Sequence, residues 1–183
     1  MSYLHSHAAD TEAILRLHEL AFGQDDEAVL VRNLLADPSA QPSLSLVAVD
    51  LGQLVGHALF TALTLDAAAV TSDLAAPLAT CAILAPLAVL PSRQRAGIGR
   101  GLIDAGCRIL AQRGVDLVFV LGDPGYYGGA GFQAATPHGL HAPYTIEPAA
   151  AWMVRALRQG VLGRVQGSLR CAQSLAPEPY WRE

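Results

Sequence analysis

One short segment, Gln94-Arg95-Ala96-Gly97-Ile98-Gly99-Arg100, constrains this chain more than any other, because of what stands on either side of it. Before it lies the apolar run Thr80 to Val89, suited to a strand covered on both faces. Pro86 has no backbone donor, so that strand must carry a bulge or an unpaired stretch. After it, Ile98, Leu102, Ala105, Ile109 and Leu110 recur at helical spacing, which predicts a helix from about Gly97 to Arg113, ending before Gly114. Leu117 to Leu121 reads as the next buried strand. Strand, loop, helix and strand over Thr80 to Leu121 make a crossover unit, which predicts parallel pairing of the two strands. The first amides of such a helix have no internal acceptor and carry the positive end of the dipole. Gly97 and Gly99 remove the side chains that would keep a phosphate away from them. A dinucleotide fingerprint would need glycine where Leu102 stands, and a P-loop would need a closing Lys-Ser or Lys-Thr. Taken without their context, the two glycines fit a plain strand-to-helix turn equally well.

The remaining chain supplies a sheet and a helical cover for this unit. Asp10 is placed to cap a helix running to about Phe22, where Gly23 ends it; a second helix runs from Asp25 or Asp26 to Ala36 and stops at Asp37-Pro38. Leu44 to Val49 and Leu54 to Thr64 read as a hairpin turning at Gly52. Leu65 to Leu78 reads as a loop with room for a helical turn. A turn or short helix near Tyr126 and strands from about Gln133, at Met153 to Leu157 and at Gly167 to Cys171 complete a mixed sheet. With 183 residues, 52% apolar and 15% charged, and no linker or repeat, residues 1–183 are expected to form one domain. A net charge of −4 without a basic cluster argues against nucleic acid or an anionic membrane as partner. Cys81, Cys107 and Cys171 form neither a disulfide framework nor a metal pair, and no leader or spanning stretch is visible, so a cytoplasmic protein is expected. His5 with His7 and His138 with His141 lack acidic or thiol partners, so no metal is expected either.

Gln-x-x-Gly-x-Gly, preceded by Leu87-Ala88-Val89 on a strand, resembles the acyl-CoA-binding motif of the GNAT superfamily of N-acetyltransferases. Tyr127 with Gly131-Phe132 is similar to that family's Tyr-x-x-x-Gly-Phe segment. Leu121-Gly122-Asp123-Pro124-x-Tyr126-Tyr127, together with Gly56-His57, resembles the YhbS-like branch. The likeness is strong from Leu84 to Phe132 and weaker from Phe22 through the hairpin and from Met153 to Ser168. It departs at Gly129 and Ala130, where larger residues are usual, and at Val120, where the family commonly has asparagine.

The resemblance implies an α/β (α+β) fold: a mixed, mostly antiparallel sheet with a central splayed parallel strand pair, flanked by helices. It implies acetyl-CoA as co-substrate, held by Leu87, Ala88 and Val89 along the strand, by Gln94, Arg95, Ala96, Gly97, Ile98, Gly99 and Arg100 in the loop, and by Tyr126. It places Tyr127 near the thioester sulfur as proton donor; a free phenol, with a pKa of about 10, is protonated at neutral pH. A tyrosine packed beside a Gly-rich turn is the plain alternative. No carboxylate stands at Phe119 or Val120, so the candidates for general base are Asp123, His57 and Glu27, the last also a contact for the acceptor. Each has a simpler role available, as turn former, core histidine and helix N-terminal charge. The expected activity is acetyl transfer to an amine of a small molecule or protein by direct attack in a ternary complex. A catalytically silent acyl-CoA-binding sensor or interaction module is the alternative, and a homodimer stays open.

Overall fold

The computed structural model describes residues 1–66 and 79–182. Strands β1 (Ser2–His5), β2 (Leu44–Asp50), β3 (Gln53–Asp66), β4 (Cys81–Val89), β5 (Leu117–Leu121), β6 (Gln133–Ala134) and β8 (Trp152–Ala156) form one sheet in the order β1-β2-β3-β4-β5-β8-β6. All neighbours on this path are antiparallel except β4 and β5, which run parallel as the crossover requires. Strands β7 (Leu140–His141) and β9 (Gly167–Arg170) lie off the path, with β9 antiparallel to the far end of β3.

Helices α1 (Thr11–Phe22) and α2 (Asp26–Ala36) lie against one face of the sheet, and α3 (Ile98–Gln112) against the other. Strand alternation explains the division: Leu59, Ile83 and Phe119 join Leu34 and Trp152 on the first face, while Phe60, Ala82 and Val118 join Leu102 and Met153 on the second. Gly106 belongs to this packing, because a Cβ there would overlap the Phe60 ring.

Two expectations are corrected. Asp10 does not cap α1; its carboxylate turns back to accept the His7 N–H at 2.8 Å and closes the preceding 3-10 turn instead. Leu65 and Asp66 are not loop but the end of β3, paired with Leu169 and Ser168 of β9; the rest of that expected loop, residues 67–78, lies outside the described residues. Gly23 ends α1 as expected, at φ 73° with its N–H on the Glu19 carbonyl.

The face under α1 contains a buried polar chain. His18 Nε2 and His57 Nδ1 share a hydrogen bond of 2.8 Å, His57 Nε2 meets Ser45 Oγ at 2.9 Å, and Ser6 Oγ donates to Ser45 Oγ. Both rings are fully buried. Desolvation brings the His18 imidazole down to about 4, and desolvation followed by the charge of His18 holds His57 well below its ordinary range. An unfolded histidine titrates near 6.5. Between that value and about 4, the unfolded chain therefore binds protons that the native chain refuses, so stability falls as pH drops through this window and is flat above it. For His18 the loss approaches roughly 3 kcal/mol at the acid end. Urea unfolding at neutral pH and near pH 4 should show this, and His18→Gln should reduce the difference, leaving the part that His57 contributes; an unchanged slope in the variant would overturn the assignment.

Candidate active site

The loop before α3 is shaped to leave amides exposed. Gln94 Nε2 donates to the Val89 carbonyl at 3.2 Å, folding the loop back on the end of β4. Arg95 and Gly97 both have left-handed backbone, at φ 61° and 77°, which turns the chain abruptly into the helix. Gly97 is the N-cap and has no side chain to cap with. Gly101 is the first N–H to reach back, to the Gly97 carbonyl at 2.9 Å, so the amides of Ile98, Gly99 and Arg100 begin the helix without an intrahelical acceptor. A cavity of about 540 Å³ opens over this helix end, lined among others by Gln94, Arg95, Gly97, Gly99, Arg100 and Tyr126. A Cβ on Gly99 would collide with the Tyr126 hydroxyl, so the missing side chain is what brings that phenol over the helix end.

Not every expected loop residue contributes in the same way. Ala96 is exposed and stands outside the cavity, while Ile98 turns its side chain into the core beneath α3 and can offer only its main chain. Arg100 pairs with Asp104 at 3.3 Å and Arg93 with Asp50, leaving Arg95 as a loop cation with no ion pair among the described residues. Burial pushes the Tyr126 phenol up, against the smaller lowering effect of Arg100, so it keeps its proton at neutral pH.

Behind the loop, β4 and β5 separate. Their register runs through Cys81–Leu117, Ala82–Val118 and Ile83–Phe119 and goes no further, although both strands continue. The cause lies on the opposite edge of β4. There Ala58 faces Leu87 and Phe60 faces Leu84, so Ala85 and Pro86 together oppose the single residue Leu59. That is the bulge Pro86 demanded, and it swings Leu84 to Val89 away from β5. Leu87 and Val89 line the cavity; Ala88 between them is buried, cross-strand from His57, and faces the other side of the sheet.

A second cleft, of about 680 Å³, opens on the α1/α2 side of this gap, and Leu87 and Tyr127 line both spaces. Tyr127 is held there by α4 (Pro124–Gly128). Its ring lies where a Cβ on Gly122 would be, edge-on to Tyr126 and Phe132 at centroid distances of 4.9 and 5.8 Å. Asp123 starts α4 by accepting the Gly125 N–H at 2.8 Å and lines neither cavity. His57 lines neither as well, its two ring nitrogens being engaged in the interior. Of the three acid–base candidates only Glu27 reaches the second cleft, on the first turn of α2 beside Asp26.

The far wall of that cleft is built from 3-10 turns, with Leu175, Pro177, Pro179, Tyr180, Trp181 and Arg182 along it. Trp181 is the anchor: its ring packs near Trp152 and its Nε1 donates to the Leu175 carbonyl at 2.8 Å. Asp37, whose carboxyl is held at about 2 chiefly by the Ser39 hydroxyl, accepts the Ser174 N–H at 2.8 Å and ties the same segment to the end of α2. The legible signal was Pro177 and Pro179 followed by Tyr180-Trp181, a stiff turn with aromatic residues to bury.

The Acetyltransferase (GNAT) family matches residues 11–125. An uncharacterized N-acetyltransferase, YjhQ of Escherichia coli (strain K12), is 41% identical over 90% of this chain and 88% of its own length. Among solved structures, the GNAT family N-acetyltransferase YhbS from Escherichia coli in complex with CoA superposes with a TM-score of 0.81 at 29% identity, covering 96% of this chain and 92% of that one. A GNAT family acetyltransferase from Brucella melitensis in complex with acetyl-CoA does so with a TM-score of 0.70 at 26% identity, covering 95% and 97%. The splayed parallel pair, the glycine loop over α3 and this extended sequence identity agree: the chain belongs to the GNAT acetyltransferase family.

Proposed function

We propose that this protein transfers the acetyl group of acetyl-CoA to a primary amine by direct attack within a ternary complex. The observation that carries the reading is the end of pairing between β4 and β5, with an anion-receptive helix end on one side, a cleft of about 680 Å³ on the other, and Tyr127 lining both. The residues fit the co-substrate on their own geometry, since the loop offers amides without intrahelical acceptors, an Arg95 with no ion pair among the described residues and a glycine cradle for the diphosphate. The unpaired edge of β4 from Leu84 to Val89 offers backbone groups to an extended arm, as an added strand would use them. Acetyl-CoA, when bound, supplies a thioester whose carbonyl carbon accepts the amine nitrogen.

The chain's part is then positional and protonic. Holding both reactants at one gap replaces a collision by an oriented approach. Backbone N–H groups near Leu87 to Val89 face the carbonyl oxygen as negative charge develops on it. Tyr127 gives its proton to the sulfur as the carbon–sulfur bond breaks and the carbon–nitrogen bond forms. The nitrogen's surplus proton leaves to water in the acceptor cleft, and the Tyr127 phenolate takes a proton back from solvent, so the protons balance.

A coupled assay of free CoA thiol with a panel of amines tests the reading: at least one primary amine should give turnover well above the hydrolysis rate, together with an acetyl-CoA-dependent rise in melting temperature. Stabilisation without turnover across the panel would favour a silent acyl-CoA-binding module, a reading motivated by the placement of Asp123 and His57 away from both cavities.

A further inference from the structure

We propose that Asp104 and Arg155 are positioning residues for the co-substrate: together they hold the Arg100 guanidinium at the cavity over the start of α3, where it pairs with a phosphate group. This rests on the acetyltransferase reading and adds to it two residues that line neither cavity.

The three side chains form one line of contacts. Arg155, on β8, donates from Nη1 to Asp104 Oδ1 and to the Ala130 carbonyl, both at 2.9 Å. Ala130 is buried in the core beneath α3, so this guanidinium is fastened at once to the sheet and to the turn after α4. The other oxygen of the carboxylate, Oδ2, accepts from Arg100 Nε at 3.3 Å, one helical turn earlier. An exposed i,i+4 pair by itself orders little, because water competes for both charges. Here the carboxylate is gripped by a third group from another element, which makes it an anchor rather than a loose partner.

What this grip spares is the working end of Arg100. Asp104 engages Nε, the nitrogen nearest the stem, so the two terminal nitrogens keep donors for another acceptor. Nη1 lies beside the turn after α4, 3.5 Å from where a Cβ on Gly129 would stand, and glycine presents no side chain to crowd it. The Arg100 charge reaches the Tyr126 phenol, working to lower its pKa, and both residues line the cavity. The charges agree with this placement. A carboxylate with one arginine is a neutral pair; with two it leaves one positive charge over, and the arginine at the cavity is Arg100. A guanidinium held in this way meets a phosphate with donors already in place.

Isothermal titration with CoA, and with 3′-dephospho-CoA, which keeps only the diphosphate, tests the proposal. Arg100→Ala should raise the Kd for CoA about tenfold, as expected for a lost hydrogen bond between charged groups. Asp104→Asn should raise it at least about threefold, the cost of ordering a freed arginine, although the substitution removes a negative charge. Arg155→Met removes a positive charge and should weaken CoA to a similar extent. Charge alone would move these two variants in opposite directions. In the Arg100→Ala background neither substitution should weaken CoA further, because both act through Arg100. Loss of affinity for both ligands assigns Arg100 to the diphosphate, and loss for CoA alone assigns it to the 3′-phosphate. Tighter or unchanged CoA binding by either variant, or an equal loss with and without Arg100, would overturn the proposal while leaving the acetyltransferase reading in place. A wild-type protein that binds no CoA would overturn both.

Discussion

Replacing Gly99 by glutamate should abolish the rise in melting temperature that acetyl-CoA gives the wild-type protein. Gly99 lies in ordinary helical backbone, so the substitution asks nothing unusual of the main chain. Its new side chain, however, enters the space now filled by the Tyr126 hydroxyl and sets a carboxylate at the helix end where a diphosphate would rest. At a hundredfold excess over its Kd, a ligand stabilises the native state by about 2.7 kcal/mol. For a domain of this size that amounts to roughly 5–10 °C, all of which should disappear. Gly97→Glu should abolish the shift too, but with a lower baseline, because the left-handed conformation at φ 77° costs a side chain on the order of 1 kcal/mol before any ligand is added. A Gly99→Glu protein stabilised as strongly as wild type would remove the diphosphate from this loop.

The second large effect concerns Tyr127. Tyr127→Phe should keep the acetyl-CoA shift and lower kcat by about 10²- to 10⁴-fold, the usual range for loss of a positioned general acid. The packing makes the experiment clean. The ring sits over Gly122 and against the edges of Tyr126 and Phe132, contacts that phenylalanine preserves, so the phenol oxygen is what the substitution takes away. Gly122→Ala is the complementary variant, keeping the phenol but displacing it with its ring. Turnover by Tyr127→Phe within twofold of wild type would end the assignment of this residue as donor to the leaving sulfur.

The crossover unit around the glycine loop was legible because its signals are local and mutually dependent. Pro86 in an otherwise uninterrupted apolar run required a break in pairing, and the register shows it opposite Leu59. Gly97 before an amphipathic run required a bare helix start, and it is the N-cap. Other features depend on partners far away in sequence. β1 has only four residues and a mixed pattern; it forms because β2 offers it an edge. Leu65 and Asp66 extend β3 only because β9 returns about a hundred residues later to pair with them. His18 falls on the apolar stripe of α1, four residues after Ile14, and only the structure shows that His57 answers it. The same holds for Asp123: before Pro124 its type fits either a turn or a base, and only the structure shows its carboxylate accepting the Gly125 N–H at the start of α4.

The turn carrying Pro177 to Tyr180 is fastened at both ends, by Ser174 on Asp37 and by Trp181 against Trp152, and neither fastening touches the glycine loop over α3. On the proposed reading this turn is one wall of the acceptor cleft, built apart from the glycine loop, with Leu87 and Tyr127 shared between the two spaces. On that reading, substitutions between the two fasteners would reshape the acceptor wall and leave the glycine loop as it is.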